Sequence, residues 1–245
     1  MHTPVSPWAN PPEVLLLAEA EVHVWRATLD LPPSKIEALE PLLNADELAR
    51  ARRFHFAKDR THFIAARGML RAILGRYLTR EPQSLSFAYN DYGKPSLDKG
   101  DLSFNLTHAH GMALYAITRH RAIGVDVEYV QREMEWESIA VHFFSPYEVN
   151  MLKAVSPDMQ PIAFFNCWTR KEAYIKARGM GLSLALNSFD VSLTPGEPAA
   201  LLDIREEGQD VANWSLYNLH PGSDYIAAVV VEGQASSLQC WQCDL

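Results

Sequence analysis

The chain has 245 residues and a mass of 27.6 kDa, enough for one large or two modest domains at about 150 residues each. Its 48% hydrophobic and 21% charged residues exclude a disordered chain and a small scaffold stapled by disulfides. A net charge of −8, from 22 Lys and Arg against 30 Asp and Glu, argues against a general nucleic-acid binder.

Residues 1–12 hold four prolines and no basic cluster, and the apolar run at 14–18 is too short for a signal peptide or a membrane span. A cytoplasmic location is expected. Residues 21–29 alternate around Val22, Val24 and Trp25 and read as a strand. Pro32-Pro33-Ser34 starts a helix running toward Leu43, and Asn44-Ala45-Asp46-Glu47 starts a second. Residues 58–78 carry Phe63, Ala66, Met69, Leu70, Ile73, Leu74 and Tyr77 at helical spacing. A strand at 85–89, a turn at 90–95 and three strands at 102–106, 113–118 and 123–128 follow.

Helices then resume. Ser145-Pro146-Tyr147-Glu148 has an N-cap residue, a proline at the first helical position and an acid at the third. A long helix at 161–177 stops at Gly179 and Gly181. Strands are expected at 187–193, 201–204, 214–219 and 225–231. The short connections leave little room for repeated βαβ crossovers, so the class is α+β, divided near residue 120 into lobes 1–120 and 121–245. The three cysteines, Cys167, Cys240 and Cys243, do not form a secreted disulfide framework. The lone CxxC of Cys240 and Cys243 lacks the second pair a zinc site needs and reads as two reduced thiols.

Four segments could carry chemistry, and each also has a structural explanation. In Gly124-Val125-Asp126-Val127-Glu128, strand periodicity puts Asp126 and Glu128 side by side. Two carboxylates so placed need a shared proton or a hard cation such as Mg²⁺, or they form a solvated strand end. Trp168, Glu172 and Lys176 lie at i, i+4 and i+8 on one helical stripe. That stripe is either a surface Glu–Lys pair or an acid for a metal with an ammonium for a phosphate. His108, after Thr107 in Phe104-Asn105-Leu106-Thr107-His108, is either structural or a phosphate contact. Residues 50–80 hold nine Lys and Arg with only Asp59 opposing them, a local +8 inside a chain of −8. Arg60, Arg67 and Arg71 share a helix face there, which is either solvated or suited to a multiply phosphorylated ligand.

Taken together, the order and spacing of these segments resemble the 4′-phosphopantetheinyl transferases of the larger, two-lobed, surfactin-synthetase-activating type. The run 168–177, with Gly179 and Gly181-Leu182-Ser183-Leu184, is similar to the family's W-x-x-K-E-[AS]-x-x-K helix and following loop. Gly124–Glu128 resembles its G-[IV]-D-[IV]-E strand, Phe104–His108 its F-N-[LI]-S-H segment, and Tyr92-Gly93-Lys94-Pro95 and Arg52-Arg53-Phe54 also match. Similarity covers about residues 46–190. Thr107 stands for the commoner Ser, Ala109-His110 for Ser and a small residue, and His62 where Arg is frequent.

The resemblance implies two similar α+β lobes related by a pseudo-twofold axis, with the active site in the cleft between them. It implies transfer of the 4′-phosphopantetheine of coenzyme A to a serine of an apo acyl carrier protein or peptidyl carrier domain. That is the reaction of a holo-[acyl-carrier-protein] synthase, and it releases adenosine 3′,5′-bisphosphate. Asp126, Glu128 and Glu172 are expected to hold Mg²⁺, with Mn²⁺ as an alternative. Glu172 is also the expected general base, and Lys176 is expected to stabilise the pyrophosphate and the leaving group. Arg53, Lys94, Thr107 and His108 are expected at the coenzyme, with Arg60 and Arg67 added on charge alone. Residues 141–152, with His142, Phe143, Phe144, Tyr147 and Met151, are expected to offer apolar contacts to the carrier or to pack internally. A monomer without nucleic-acid or membrane partners completes the expectation.

Overall fold

The computed structural model describes residues 6–131 and 133–244. One order of elements occurs twice. The first pass is β1 (Glu21–Thr28), α1 (Pro33–Leu39), α2 (Ala45–Ala51), α3 (Ala57–Leu78), β2 (Phe87–Tyr89), β3 (Pro95–Leu97), β4 (Leu102–Ala109) and β5 (Met112–Arg119). The second is β6 (Ile123–Tyr129), α4 (Trp136–Phe143), α5 (Pro146–Ala154), α6 (Gln160–Arg178), β7 (Phe189–Val191), β8 (Leu201–Ile204), β9 (Trp214–Leu219) and β10 (Tyr225–Glu232). Pairing repeats as well: β1-β5-β4 in one sheet and β6-β10-β9 in the other, all antiparallel, with β2–β3 and β7–β8 as separate hairpins.

The last strand breaks the repeat. β11 (Ser237–Gln242) leaves the second unit and pairs with β1 in parallel, as the outer strand of the first sheet. Residues 237–242 therefore belong structurally with the first unit, although they lie inside the expected lobe 121–245.

Three apolar interfaces build four layers. α3 covers one face of the first sheet with Met69, Leu70, Ile73 and Leu74 against Trp25, Ala113, Tyr115 and Ile117. The opposite face, with Val22, Val24, Leu114 and Ala116, packs on Val125, Val127, Ala227 and Val229 of the second sheet. α6 covers the outer face of that second sheet. Both sheets are thus buried on two sides, which is why β1 and β5 are apolar on both faces and do not alternate cleanly. Cys243, Cys167 and Cys240 fall one in each of these three cores.

Local chemistry sets the helix ends. Asn44 and Ser145 each accept from the backbone N–H three residues on, while Glu47 and Glu148 reach back, so α2 and α5 both begin with a capping box. The helix expected from Pro32 to Leu43 stops at Leu39, and a 3-10 turn at Glu40–Leu42 follows. Pro41 supplies no N–H to continue the α ladder. α4, β3 and β11 were not anticipated.

His23 lies on β1 and is only 3% exposed. Trp25 Nε1 donates to the Tyr77 hydroxyl at 2.9 Å, which leaves that hydroxyl to donate to His23 Nδ1 at 2.7 Å. Burial, opposed by nearby Glu21, lowers the His23 pKa to about 4. Below pH 6.5 the unfolded chain takes up a proton that the folded chain refuses, so stability falls as pH falls toward 4. Between pH 7.5 and 5 this contributes a loss of about 2 kcal/mol. Glu128, pushed up to about 7, titrates in the opposite sense over the same range, so the loss is read as a difference: the stability gap between wild type and His23→Gln, from urea unfolding, should change by that amount between the two pH values. Equal pH slopes in both would refute the assignment.

Candidate functional site in the cleft between the two units

The edge strands β4 and β6 face each other across the junction. Asn105 Oδ1 accepts the backbone N–H of Val125 at 2.9 Å and ties them together. Val125 and Val127 point into the core between the sheets, so Gly124, Asp126 and Glu128 face α6. Gly124 permits the approach: a Cβ there would lie 2.1 Å from the Ala173 carbonyl oxygen and 2.3 Å from the Ala177 nitrogen. The α6 backbone therefore rests directly on β6.

This contact brings the α6 stripe to the strand carboxylates. Lys176 Nζ donates to Asp126 Oδ1 at 2.6 Å and to Thr107 Oγ1 at 3.1 Å, and Thr107 Oγ1 donates to Asp126 Oδ1 at 3.1 Å. Trp168, one turn before Glu172, hydrogen-bonds the Glu128 carboxylate. Glu172 and Lys176 line a cavity of about 280 Å³ with Tyr92, Lys94 and Asn105. Burial raises the Asp126 pKa, against the pull of Lys176 and Thr107. Burial and then the Asp126 charge push Glu128 up to about 7 and raise Glu172.

The cation the structure itself sets beside Asp126 is Lys176. Among the described residues no three His, Cys, Asp or Glu side chains are gathered closely enough to hold a metal ion. In chemistry, though not in that geometry, the donor set fits a hard dication. Asp126 is buried, its Oδ2 has no hydrogen-bond partner among the described residues, and its charge acts on the nearby carboxyls of Glu128 and Glu172.

A larger cavity of about 970 Å³ opens on the first unit, lined by Arg50, Arg53, His62, Phe63, Tyr89 and His108. His108 alternates with Thr107 on β4, so Thr107 faces Asp126 while His108 faces this cavity. Desolvation, then Lys176 and His62, lower the His108 pKa. Arg53 is exposed at the rim. His62 Nε2 pairs with Asp30 Oδ1 at 2.9 Å. His110 has φ +45° in the β4–β5 turn and stacks on Tyr129 of the second unit, with ring centroids 4.4 Å apart.

Several expected ligand contacts are engaged elsewhere. Arg67 and Arg71 point inward to Glu47, Arg71 at 2.7 Å, and Arg67 also donates to the Tyr89 hydroxyl. Burial acts to raise the Glu47 carboxyl, but the hydrogen bonds from Arg71, Asn44 and Arg67 outweigh it and hold it below the usual range. Arg60 pairs with Glu40 at 3.6 Å. The +8 of residues 50–80 is therefore not one exposed basic face. Its acidic counterparts come from Glu47 of α2 and Glu40 of the 3-10 turn, which sequence spacing does not reveal. The Lys94 ammonium donates to the carbonyls of Ile123, Lys176 and Ala177 at 2.9, 2.6 and 3.1 Å, where a coenzyme phosphate was expected.

Strand carboxylates, a helix stripe bearing Glu172 and Lys176, and a cavity where Arg50, Arg53 and Arg67 are mixed with Asp46, Glu47 and Asp59 meet at one junction of an α+β protein. A family model described as the 4′-phosphopantetheinyl transferase superfamily matches residues 122–230. A second, described as 4′-phosphopantetheinyl transferase, N-terminal, matches residues 30–119. The chain is 41% identical over 238 residues to the 4′-phosphopantetheinyl transferase HetI of Nostoc sp. (strain PCC 7120), spanning 96% of this chain and 97% of that protein. It is 31% identical over 175 residues to the 4′-phosphopantetheinyl transferase Sfp of Bacillus subtilis (strain 168), spanning 70% and 77%. A crystal structure of Thermotoga maritima holo-[acyl-carrier-protein] synthase superposes with a TM-score of 0.35 at 21% identity, over 46% of this chain and 63% of that one. This chain belongs to the 4′-phosphopantetheinyl transferase superfamily.

Proposed function

We propose that this 4′-phosphopantetheinyl transferase binds coenzyme A in the cleft between its two units and passes the phosphopantetheine arm to a serine of an apo carrier protein. The observation that carries the reading is the meeting of Asp126, Lys176 and Thr107 at the β4–β6–α6 junction, with Glu172 one turn from Lys176. Asp126, Glu128 and Glu172 would hold Mg²⁺, or Mn²⁺ in its place. When bound, the ion offsets the charge of the pyrophosphate and makes its phosphorus more electrophilic.

The chain's own groups do the rest. Glu172 takes the proton of the incoming serine hydroxyl, directly or through a water, and its raised pKa suits a base. The serine oxygen bonds to the phosphorus bearing the pantetheine, and the bond from that phosphorus to the bridging oxygen breaks. Lys176 donates to the oxygens that gain charge as adenosine 3′,5′-bisphosphate leaves. Arg53 and His108, both lining the large cavity, and Thr107, beside Lys176, hold the coenzyme phosphates.

On the second unit Val141, Phe143 and Tyr147 are exposed while Phe144 and Leu152 are in the core. The exposed three are the proposed apolar contacts for the carrier. Both units that line the cleft belong to one chain, which supports a working monomer. Cysteines buried in three separate cores suit a reducing compartment, and we place the reaction in the cytoplasm. No helix among the described residues is long and apolar enough to cross a membrane.

The test is mass spectrometry of an apo carrier incubated with the protein, coenzyme A and Mg²⁺. A gain of about 340 Da is expected, its loss in EDTA, and its return with added Mg²⁺. Full modification in metal-free buffer would overturn the carboxylate site, and coenzyme binding with no mass gain would indicate a non-catalytic module.

A further inference from the structure

The turn between β2 and β3 belongs to the first unit, yet its polar groups are spent on the second. Asn90 Nδ2 donates to the Gly179 carbonyl at 2.7 Å. Asn90 Oδ1 accepts from the backbone N–H groups of Tyr92 and Lys94 at 3.1 and 2.9 Å, which shapes the turn. Lys94 Nζ then reaches the carbonyls of Lys176 and Ala177 at the end of α6 and that of Ile123 at the start of β6. An ammonium has three donors, and all three are used. The last carbonyls of a helix have no partner of their own and carry the negative end of its dipole, so a cation there stabilises the end. α6 stops at this point with Gly179 at φ +67°, and a Cβ on Gly179 would lie 3.2 Å from Asn90 Nδ2 and 3.3 Å from Lys94 Cδ.

We infer that Asn90 and Lys94 are positioning residues for the transfer reaction: the β2–β3 turn clamps the C-terminal end of α6 and holds Lys176 and Glu172 in register with Asp126. Lys94 joins the carbonyl of Lys176 itself to the first strand of the acidic motif, so the clamp fixes helix and strand to each other as well as unit to unit. The half-buried ammonium, its pKa lowered to about 8 by burial, is set against backbone carbonyls and not against a carboxylate. The role rests on Glu172 and Lys176 being the working groups, and it assigns Lys94 to the helix end and not to a coenzyme phosphate.

Carrier modification and coenzyme A affinity, the latter by calorimetry, separate the two roles. A clamp predicts that Lys94→Met lowers kcat by 10-fold or more while the coenzyme A Kd stays within 3-fold. Asn90→Ala should lower kcat several-fold, also at unchanged Kd. Lys94→Arg should recover part of the lost rate, because a guanidinium still donates to carbonyls. Hydrogen exchange of the Gly179 amide, which donates to the Ile175 carbonyl at 2.9 Å, should quicken in both lowered variants. A coenzyme A Kd raised 10-fold or more in Lys94→Met with kcat retained would overturn the clamp in favour of a phosphate contact. An Asn90→Ala protein with wild-type kcat would overturn it whether or not Lys94→Met folds. Glu172→Gln run beside them keeps the premise separate: if that variant transfers normally, the site reading fails, and the clamp with it.

Discussion

Glu172→Gln is expected to lower carrier modification by at least about 10³-fold, because the proposed role makes this residue both general base and metal ligand. The substitution keeps size and hydrogen-bonding capacity but removes the charge and the proton acceptor. Glu172 is half-buried with a raised pKa, and no ion pair of the fold depends on it among the described residues. Burial and Asp126 disfavour that charge, so removing it should leave the melting temperature at or somewhat above wild type. Coenzyme A should bind within a few-fold of wild type, since Arg53, His108 and Lys176 are untouched. Near-normal holo-carrier formation, read by the mass gain, would sink the assignment. So would a collapse of the melting temperature, because the loss would then report unfolding.

Gly124→Ala should be nearly as damaging, from a residue that touches no substrate. Its Cβ would enter the backbone of α6 at Ala173, Lys176 and Ala177, at 2.1 to 2.8 Å, where no rotamer change can make room. Strand and helix must separate by about 1 Å, an overpacking cost on the order of 3 kcal/mol. The same separation displaces Glu172 and Lys176 from Asp126, and a misplacement of about 1 Å at reacting groups can cost about 100-fold in rate. Thermal melting should show the stability loss, and modification rates measured well below the lowered melting point should show the rate loss. A variant with unchanged melting and unchanged rate would mean that β6 and α6 are not held as close as described.

Glu172, Asp126 and Glu128 are legible in the sequence. Glu172 was singled out by its helical stripe and motif, and the stripe does meet the strand carboxylates. Asp126 and Glu128 were placed on one strand face by period two, and they share it. Both are local properties: the repeat of a helix or strand decides which side chains point together. Periodicity is silent where a distant partner decides. Arg67 looked available for phosphate because Glu47, twenty residues away, carries no periodic relation to it. Lys94 sits in a turn like many others, and nothing in Asn90–Pro95 says that the turn lies against the end of α6. β11 is not legible in the sequence because only Leu238 and Cys240 mark its core-facing side, too few to stand out from a loop.

The amino-acid sequence alone determined the class, the family resemblance, the strand that carries Asp126 and Glu128 and the helix that carries Glu172 and Lys176. The net charge of −8 describes only the chain as a whole. Tertiary structure decided which charges are spent on the fold and which are left for chemistry. It turned Arg67 and Arg71 onto Glu47, committed Lys94 to three carbonyls, and left Asp126 Oδ2 without a partner among the described residues. The physical reason is range. Periodicity acts over one or two turns of chain, whereas a buried charge takes whichever opposite charge or carbonyl the packing of the layers brings within about 3 Å of it.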